Sequence, residues 1–234
     1  MTNINSISDI KNILYINLEY RKDRKEHIEY QLKNVGLSNF ERFNAIKLQN
    51  GRIGCSMSHL QCLNLAKERK YEYVLICEDD ATFLNPSLFI NQINTFFKNK
   101  RVNNWDVLLL GGNNVPPYQQ IDETCIRVTH CQTTTCYLVN GHYFDTLIEN
   151  IKQGIQYLMR EPGNYRSYAI DMYWLNLQKK HVWLLIVPLS VIQREDYSDI
   201  EQRNTKYQNM MLDLNKDYLF NNNNNNINFK IKML

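Results

Sequence analysis

The chain of 234 residues lacks the marks of several functional classes. Nothing in it approaches the roughly 18 consecutive apolar residues of a membrane-spanning helix. The longest apolar run, Val182 to Ile192, is short and contains Pro188. The N-terminal stretch MTNINSISDIKN has no apolar core of the kind that makes a secretory signal, so a cytoplasmic protein without a transmembrane segment is expected. The six cysteines (Cys55, Cys62, Cys77, Cys125, Cys131 and Cys136) form no CxxC pair. That spacing suits neither a zinc finger nor a dense disulfide framework. Reduced thiols are expected, with a bridge among Cys125, Cys131 and Cys136 as the alternative. The net charge of +3 leaves no electrostatic footprint for a nucleic-acid partner. There is no GxxxxGK[ST] and no GxGxxG, so Walker-type and Rossmann dinucleotide sites are unsupported. Glycine is scarce, and no internal repeat is visible.

What is present is ordinary globular material, 44% hydrophobic and 22% charged, long enough to bury a substantial core. Residues 1–10 read as a leader, 11–220 as one domain, and 221–234 as a tail carrying the tract Asn221 to Asn226. Ile13 to Leu18 is a short β-prone run, followed by a helical pattern on Ile28, Leu32 and Val35 with Gly36 as its cap. Strands are expected at Phe40 to Ala45, Tyr73 to Cys77, Trp105 to Leu110, Thr135 to Val139 and Val182 to Val187. Helices are expected at Ile53 to Lys67, Leu88 to Phe97, His142 to Lys152 and Ser167 to Lys179. Residues 113–124 read as a loop. Strands alternating with helices predict an α/β fold with a mainly parallel central sheet flanked by helices.

One stretch stands out. In YEYVLICEDDATF an apolar strand ends in three consecutive carboxylates, Glu78, Asp79 and Asp80. Parallel sheets bind ligands beyond the carboxyl ends of their strands. Hard divalent ions such as Mn²⁺ or Mg²⁺ take carboxylate oxygens there, together with substrate phosphates. In extended backbone Glu78 and Asp80 point the same way and Asp79 the other, so a Glu-x-Asp pair would hold a metal and a ribose together. The plainer alternative is a solvated acidic turn before the helix near Pro86. Phosphatases, nucleases and nucleotidyltransferases also end strands in paired carboxylates.

Further motifs narrow this. YINLEYRKDRKEHIEYQL, with Asn17, Arg21 and Arg24, resembles the N-terminal signature of glycosyltransferase family 25, which includes lipooligosaccharide and collagen galactosyltransferases. GRIGCSMSHLQCLNLA resembles its Gly-x-x-Gly-Cys-x-x-Ser-His segment at Gly51, Gly54, Cys55, Ser58 and His59. Arg52 stands there where many relatives carry an acid. VLICEDDATF, WDVLLLGG, TTTCYLV and PLSVIQREDYSDI follow in the family's order, the last matching at Pro188, Leu189, Gln193, Ser198 and Ile200. The resemblance runs from about residue 11 to 202. It implies a GT-A-like nucleotide-sugar-binding fold and a metal-dependent, inverting hexosyl transfer, of galactose or glucose from a UDP-sugar. The acceptor would be a glycan, a lipid-linked saccharide or a protein hydroxylysine.

By that resemblance Asp80, then Asp79, is the expected metal ligand, and Glu78 would contact the ribose or uracil, or the metal through water. Asn17, Arg21 and Arg24 would meet the donor, the arginines through its phosphates. Their alternative is a pair of exposed cations in the run RKDRK. Ser58 and His59 would touch the donor or support the metal from behind, against the plainer reading of a buried pair that holds its helix. Gly111 and Gly112 would let the backbone approach the donor, or simply end a strand. Gln193 would reach the diphosphate or metal, or be an ordinary loop residue. Asp171 is the expected general base, with Asp196 and Asp199 as competitors. Two rival functions are a catalytically silent scaffold that kept the fold and a metal-dependent phosphoryl-transfer enzyme.

Overall fold

The computed structural model describes residues 4–99 and 104–219. The Asn221 to Asn226 tract lies outside them. The strands are β1 (Ile13–Asn17), β2 (Phe40–Asn44), β3 (Tyr73–Glu78), β4 (Ala81–Phe83), β5 (Val107–Asn114), β6 (Tyr118–Gln120), β7 (Cys125–Val128), β8 (Cys131–Asn140), β9 (Trp183–Ile186), β10 (Val191–Gln193), β11 (Asp196–Ser198) and β12 (Arg203–Thr205). The helices are α1 (Lys22–Asn34), α2 (Gly51–Glu68), α3 (Pro86–Lys98), α4 (Phe144–Arg160), α5 (Tyr165–Tyr168), α6 (Ile170–Tyr173), α7 (Leu175–Gln178) and α8 (Gln208–Leu212).

Eight strands form the central sheet, in the order β2-β1-β3-β8-β5-β9-β7-β6. The α/β class expected from the sequence is present, with a sheet of mixed sense. The pairs β1–β2, β1–β3 and β5–β9 are parallel. The pairs β3–β8, β5–β8, β7–β9 and β6–β7 are antiparallel. Both faces of the sheet are buried, because alternate residues of each strand feed two separate cores. Ile13, Tyr15, Leu75, Leu108 and Leu184 join Ile28 and Leu32 of α1 and Phe89 and Ile93 of α3. Leu14, Ile16, Ile76, Leu109 and Leu185 join Leu60 and Leu63 of α2 and Leu147 and Ile151 of α4. Ile4, Ile7 and Ile10 are buried in the first core, so residues 4–10, expected to lie ahead of the domain, pack into it.

The local signals act as their chemistry dictates. Gly36 has φ 82, and Leu37 N–H reaches Leu32 O at 2.9 Å while Gly36 N–H reaches Lys33 O at 3.0 Å. This doubly bonded cap ends α1. Asn50 caps α2 by accepting from Arg52 N–H at 3.1 Å, and Asn85 caps α3 by accepting from Leu88 N–H at 3.0 Å.

Other expectations fail as well. The Gly111-Gly112 pair does not stop its strand: β5 continues to Asn114, with register shifts against β8 on both sides of Gly111. Glycine here bends a strand without ending it. Consequently 113–124 is only partly loop. The single helix expected from Ser167 to Lys179 is instead three short ones, parted at Ala169, where ψ is 151, and at Trp174. Packing decides this: fully buried Trp174 lies edge-on to Tyr137 and Trp183 and donates to Cys131 O at 3.1 Å.

Among the described residues no helix is long and apolar enough to cross a membrane.

Candidate active site

Because β1, β3 and β5 point the same way and β8 runs against them, one edge of the sheet collects the carboxyl ends of three strands and the amino end of β8. Asn17 closes β1 and Glu78 closes β3. The chain turns at Asp79 and Asp80 and re-enters as β4, which pairs with β10 and so brings Gln193 opposite Ala81.

The turn divides the acidic triplet differently from the alternation expected of extended backbone. Asp79 and Asp80 converge on one guanidinium, since Arg24 Nη1 donates to Asp79 Oδ1 and to Asp80 Oδ2, each at 3.0 Å. Glu78 faces the other way, toward α2. Its Oε1 accepts from Thr134 Oγ1 at 2.7 Å and lies 3.3 Å from His59 Nε2. Strand geometry stops at Glu78, so the period-two rule that paired Glu78 with Asp80 stops there too.

Asn17 orients Asp79 by donating from Nδ2 to Oδ2 at 2.8 Å, and Gln193 Nε2 donates to Asp80 Oδ2 at 3.1 Å. Asp80 Oδ1 is buried and has no protein partner. Burial, the neighbouring Glu78 carboxylate and that of Asp79 push Asp80 up to about 7, with Arg24 opposing. Burial also raises Asp79, again opposed by Arg24. Burial acts in the same sense on Glu78, but its contacts with His59 and Thr134 hold it below the ordinary carboxylate range. Two adjoining carboxylates, one of them with an orphaned buried oxygen, are the oxygen-donor set that Mn²⁺ or Mg²⁺ prefers. The residues present therefore fit a hard divalent ion at Asp79 and Asp80.

The two arginines are deeply engaged. Arg24 also donates from Nε to Asp196 Oδ2 at 3.2 Å, and Arg21 bonds Asp196 at 3.0 Å and Asp199 at 2.7 Å. Asp196 and Asp199, the competitors for the base, are thus counter-ions of these arginines. They lie on or beside β11, far away in sequence, and no local pattern links them to α1.

Asp171 is carried to the same edge by α6. Its Oδ2 accepts from Thr133 N–H at 3.2 Å, and burial raises its pKa. Thr133 has φ 73, an uncommon conformation for a β-branched residue.

Packing within the protein accounts for four of the residues expected at the donor. Ser58 is buried, donates to Gly54 O at 2.8 Å and accepts from Ile46 N–H at 2.8 Å, so it fastens α2 to the segment after β2. Gly111 and Gly112 are glycine for the sake of their own neighbours. A Cβ at Gly111 would lie 2.8 Å from Val191 O, and one at Gly112 would lie 2.4 Å from Cys131 Sγ. His59, also fully buried, is bonded to the Tyr137 hydroxyl and Glu78. Among groups not anticipated, Asn113 and Asn114 end β5 at this edge. Asn113 Oδ1 and both polar side-chain atoms of Asn114 are buried without protein partners.

A protein-family profile agrees with the resemblance. The profile described as Glycosyltransferase family 25 (LPS biosynthesis protein) matches residues 47–172. The chain is a glycosyltransferase. It belongs to family 25. No curated protein matches it. Similar solved structures include a glycosyltransferase involved in the glycosylation of the major capsid of PBCV-1, at 14% identity over 86% of this chain and 88% of that one, TM-score 0.46. Another is mannose-1-phosphate geranyltransferase from Thermus thermophilus, at 8% identity over 75% and 73%, TM-score 0.43. A Drosophila galactosyltransferase complexed with manganese, UDP-Gal and xylobiose has 15% identity over 58% and 50%, TM-score 0.32.

Proposed function

We propose that the protein is a metal-dependent, inverting hexosyltransferase of GT-A type that uses a UDP-sugar, galactose or glucose being the sugar moved. The observation that carries this reading is the orphaned, buried Asp80 Oδ1 beside Asp79 at the carboxyl edge of the sheet. A divalent ion held by Asp79 and Asp80 would neutralise charge on the departing diphosphate. Asn17 and Gln193 keep the two carboxylates aimed, through bonds of 2.8 and 3.1 Å. Arg24, which bonds both carboxylates, and Arg21 beside it at the start of α1 serve the phosphates.

Asp171 acts as general base. Its Oδ2, steadied by Thr133 N–H, takes the proton of the acceptor hydroxyl as that oxygen attacks the anomeric carbon. Attack opposite the leaving UDP inverts the configuration. Burial makes the Asp171 carboxylate a stronger base than an exposed one. The acceptor is a glycan, a lipid-linked saccharide or hydroxylysine, and the family's LPS description favours a saccharide on a lipid carrier.

The test is donor binding and UDP release across UDP-, GDP- and CMP-sugars, with Mn²⁺ and with EDTA. One UDP-hexose is expected to bind and to release UDP slowly, with both lost in EDTA and in Asp80→Ala, and Asp79→Ala milder. Unchanged Mn²⁺-dependent affinity in Asp80→Ala would remove Asp80 from the metal.

A further inference from the structure

Glu78 stands apart from the aspartates that follow it, and its surroundings have a different chemistry. Cys55 and His59 are four residues apart on α2, hence on one face of that helix. Cys55 Sγ lies 3.8 Å from Glu78 Oε1, and His59 Nε2 lies 3.3 Å from the same oxygen. One ligand atom from each of the three residues falls within 4.8 Å of the other two.

We propose that Cys55, His59 and Glu78 form a metal site of their own, for a borderline-soft divalent ion of the Zn²⁺ class, separate from the oxygen-donor pair Asp79 and Asp80. The dimensions support it. Ordinary Zn–S, Zn–N and Zn–O bonds in tetrahedral array separate S from O by about 3.6 Å and N from O by about 3.4 Å. The observed separations are 3.8 and 3.3 Å. The sulfur–nitrogen edge, expected at about 3.6 Å, lies within 4.8 Å.

The surroundings support it too. The Tyr137 hydroxyl, fully buried, lies 2.8 Å from His59 Nδ1, which fixes the ring and reserves Nε2 for the ion. Such an outer hydrogen bond accompanies most metal-bound histidines. The Thr134 hydroxyl steadies the Glu78 carboxylate at 2.7 Å. Thiolate and imidazole select Zn²⁺ over Mn²⁺ or Mg²⁺, whose preference is for oxygen alone. Binding exchanges the Cys55 thiol proton, released to solvent, for the ion. Cys55 and Glu78 are both partly exposed, so the ion has a way in and water completes the fourth position.

The experiment is a Co²⁺ titration of the metal-free full-length chain, followed by absorption. The expected result is one equivalent of Co²⁺ with a thiolate charge-transfer band and the strong d–d bands of a four-coordinate ion. Zn²⁺ should displace it and Mg²⁺ should not. The charge-transfer band should vanish in Cys55→Ser and persist in Asp80→Asn and Cys62→Ser. In the unaltered protein, Zn²⁺ should slow alkylation of Cys55, read by peptide mapping, which needs no variant to fold. Weak six-coordinate bands alone, a charge-transfer band that survives Cys55→Ser, or alkylation of Cys55 indifferent to Zn²⁺ would each overturn the proposal. The donor reading stands or falls separately, on Mn²⁺ dependence at Asp80.

Discussion

Arg24 is the residue whose removal the structure makes most consequential. Its guanidinium is buried and bonds three carboxylates, Asp79, Asp80 and Asp196, at 3.0, 3.0 and 3.2 Å. Arg24→Met keeps the stem that packs in α1 and deletes the charge. Asp79 and Asp80, themselves buried, are then left without their cation. Stranding a buried charge in this way costs about 3–5 kcal/mol. For a protein of this size each kcal/mol lowers Tm by roughly 2–4 °C, so a fall of about 6–20 °C is expected in EDTA. The sign of the pH dependence follows from the raised pKa values. A carboxyl group whose folded pKa is raised binds its proton more tightly folded than unfolded, so stability rises as pH falls through the folded value. Asp80 already sits at about 7 with Arg24 present, and losing Arg24 raises it further. The Tm deficit should therefore be large at about pH 8 and shrink toward about pH 6. Under the proposed function Mn²⁺ should restore part of it at the higher pH. The assay is thermal unfolding by circular dichroism at both pH values, with EDTA and with Mn²⁺. Lys25→Met is the control: its pair with Glu29 is surface-exposed at 3.6 Å and contributes less than about 0.5 kcal/mol. A deficit for Arg24→Met no larger than that control, or one independent of pH, would refute the reasoning.

Two further predictions follow from the packing and the chemistry at the same edge. Asp171→Asn should leave donor affinity intact while transfer falls by at least about a hundredfold. In the unaltered enzyme the transfer rate should rise with pH through a value above the usual carboxylate range, because the base works only when ionised and burial raises its pKa. Full transfer activity in Asp171→Asn would exclude it as the base. Gly112→Ala drives a Cβ to 2.4 Å from Cys131 Sγ, whereas a Cβ at Gly163 meets nothing within 4 Å. Overpacking of this kind costs about 1–3 kcal/mol, so urea unfolding should show a lower midpoint for Gly112→Ala and near-native behaviour for Gly163→Ala. Equal midpoints would contradict the close contact.

What the sequence carried was what short range can encode. Ile28, Leu32 and Gly36 announce α1 and its cap, and the apolar runs at β1, β3, β5 and β9 announce buried strands. The sense of β8 was not legible, because antiparallel pairing with β3 and β5 is decided by where the chain returns. The strands β4 and β10 are three residues each and exist through each other. A local pattern has too few residues there to register. Gly111 and Gly112 read as a stop, yet the demand on them comes from Val191 and Cys131, which approach the backbone from elsewhere. Within the site, Asn17, Asp79, Asp80, Arg24 and Gln193 were visible as motifs, and the structure joins them by direct bonds. The pairing of the arginines with Asp196 and Asp199 was not, since it spans more than 170 residues.

The acidic triplet shows why position in a fold matters more than composition. Three adjacent carboxylates in one environment would repel and raise one another's pKa values. Here the strand ends between the first and the second. Glu78 stays in register with β3, where Thr134 and His59 compensate it and its pKa falls. Asp79 and Asp80 swing round the turn onto Arg24, where one cation serves two buried acids and their pKa values rise. One guanidinium does not balance two carboxylates, and Asp80 Oδ1 is left with no partner at all. Such a deficit is costly in a site with no function, for a buried unpaired oxygen disfavours the folded state by about 1–3 kcal/mol. Under the proposed function it is an asset, because the uncompensated oxygen attracts the cation on which the diphosphate would then be held. The same turn that gathers the aspartates also isolates Glu78 beside a thiol and an imidazole, so two donor sets of unlike hardness arise from three consecutive residues.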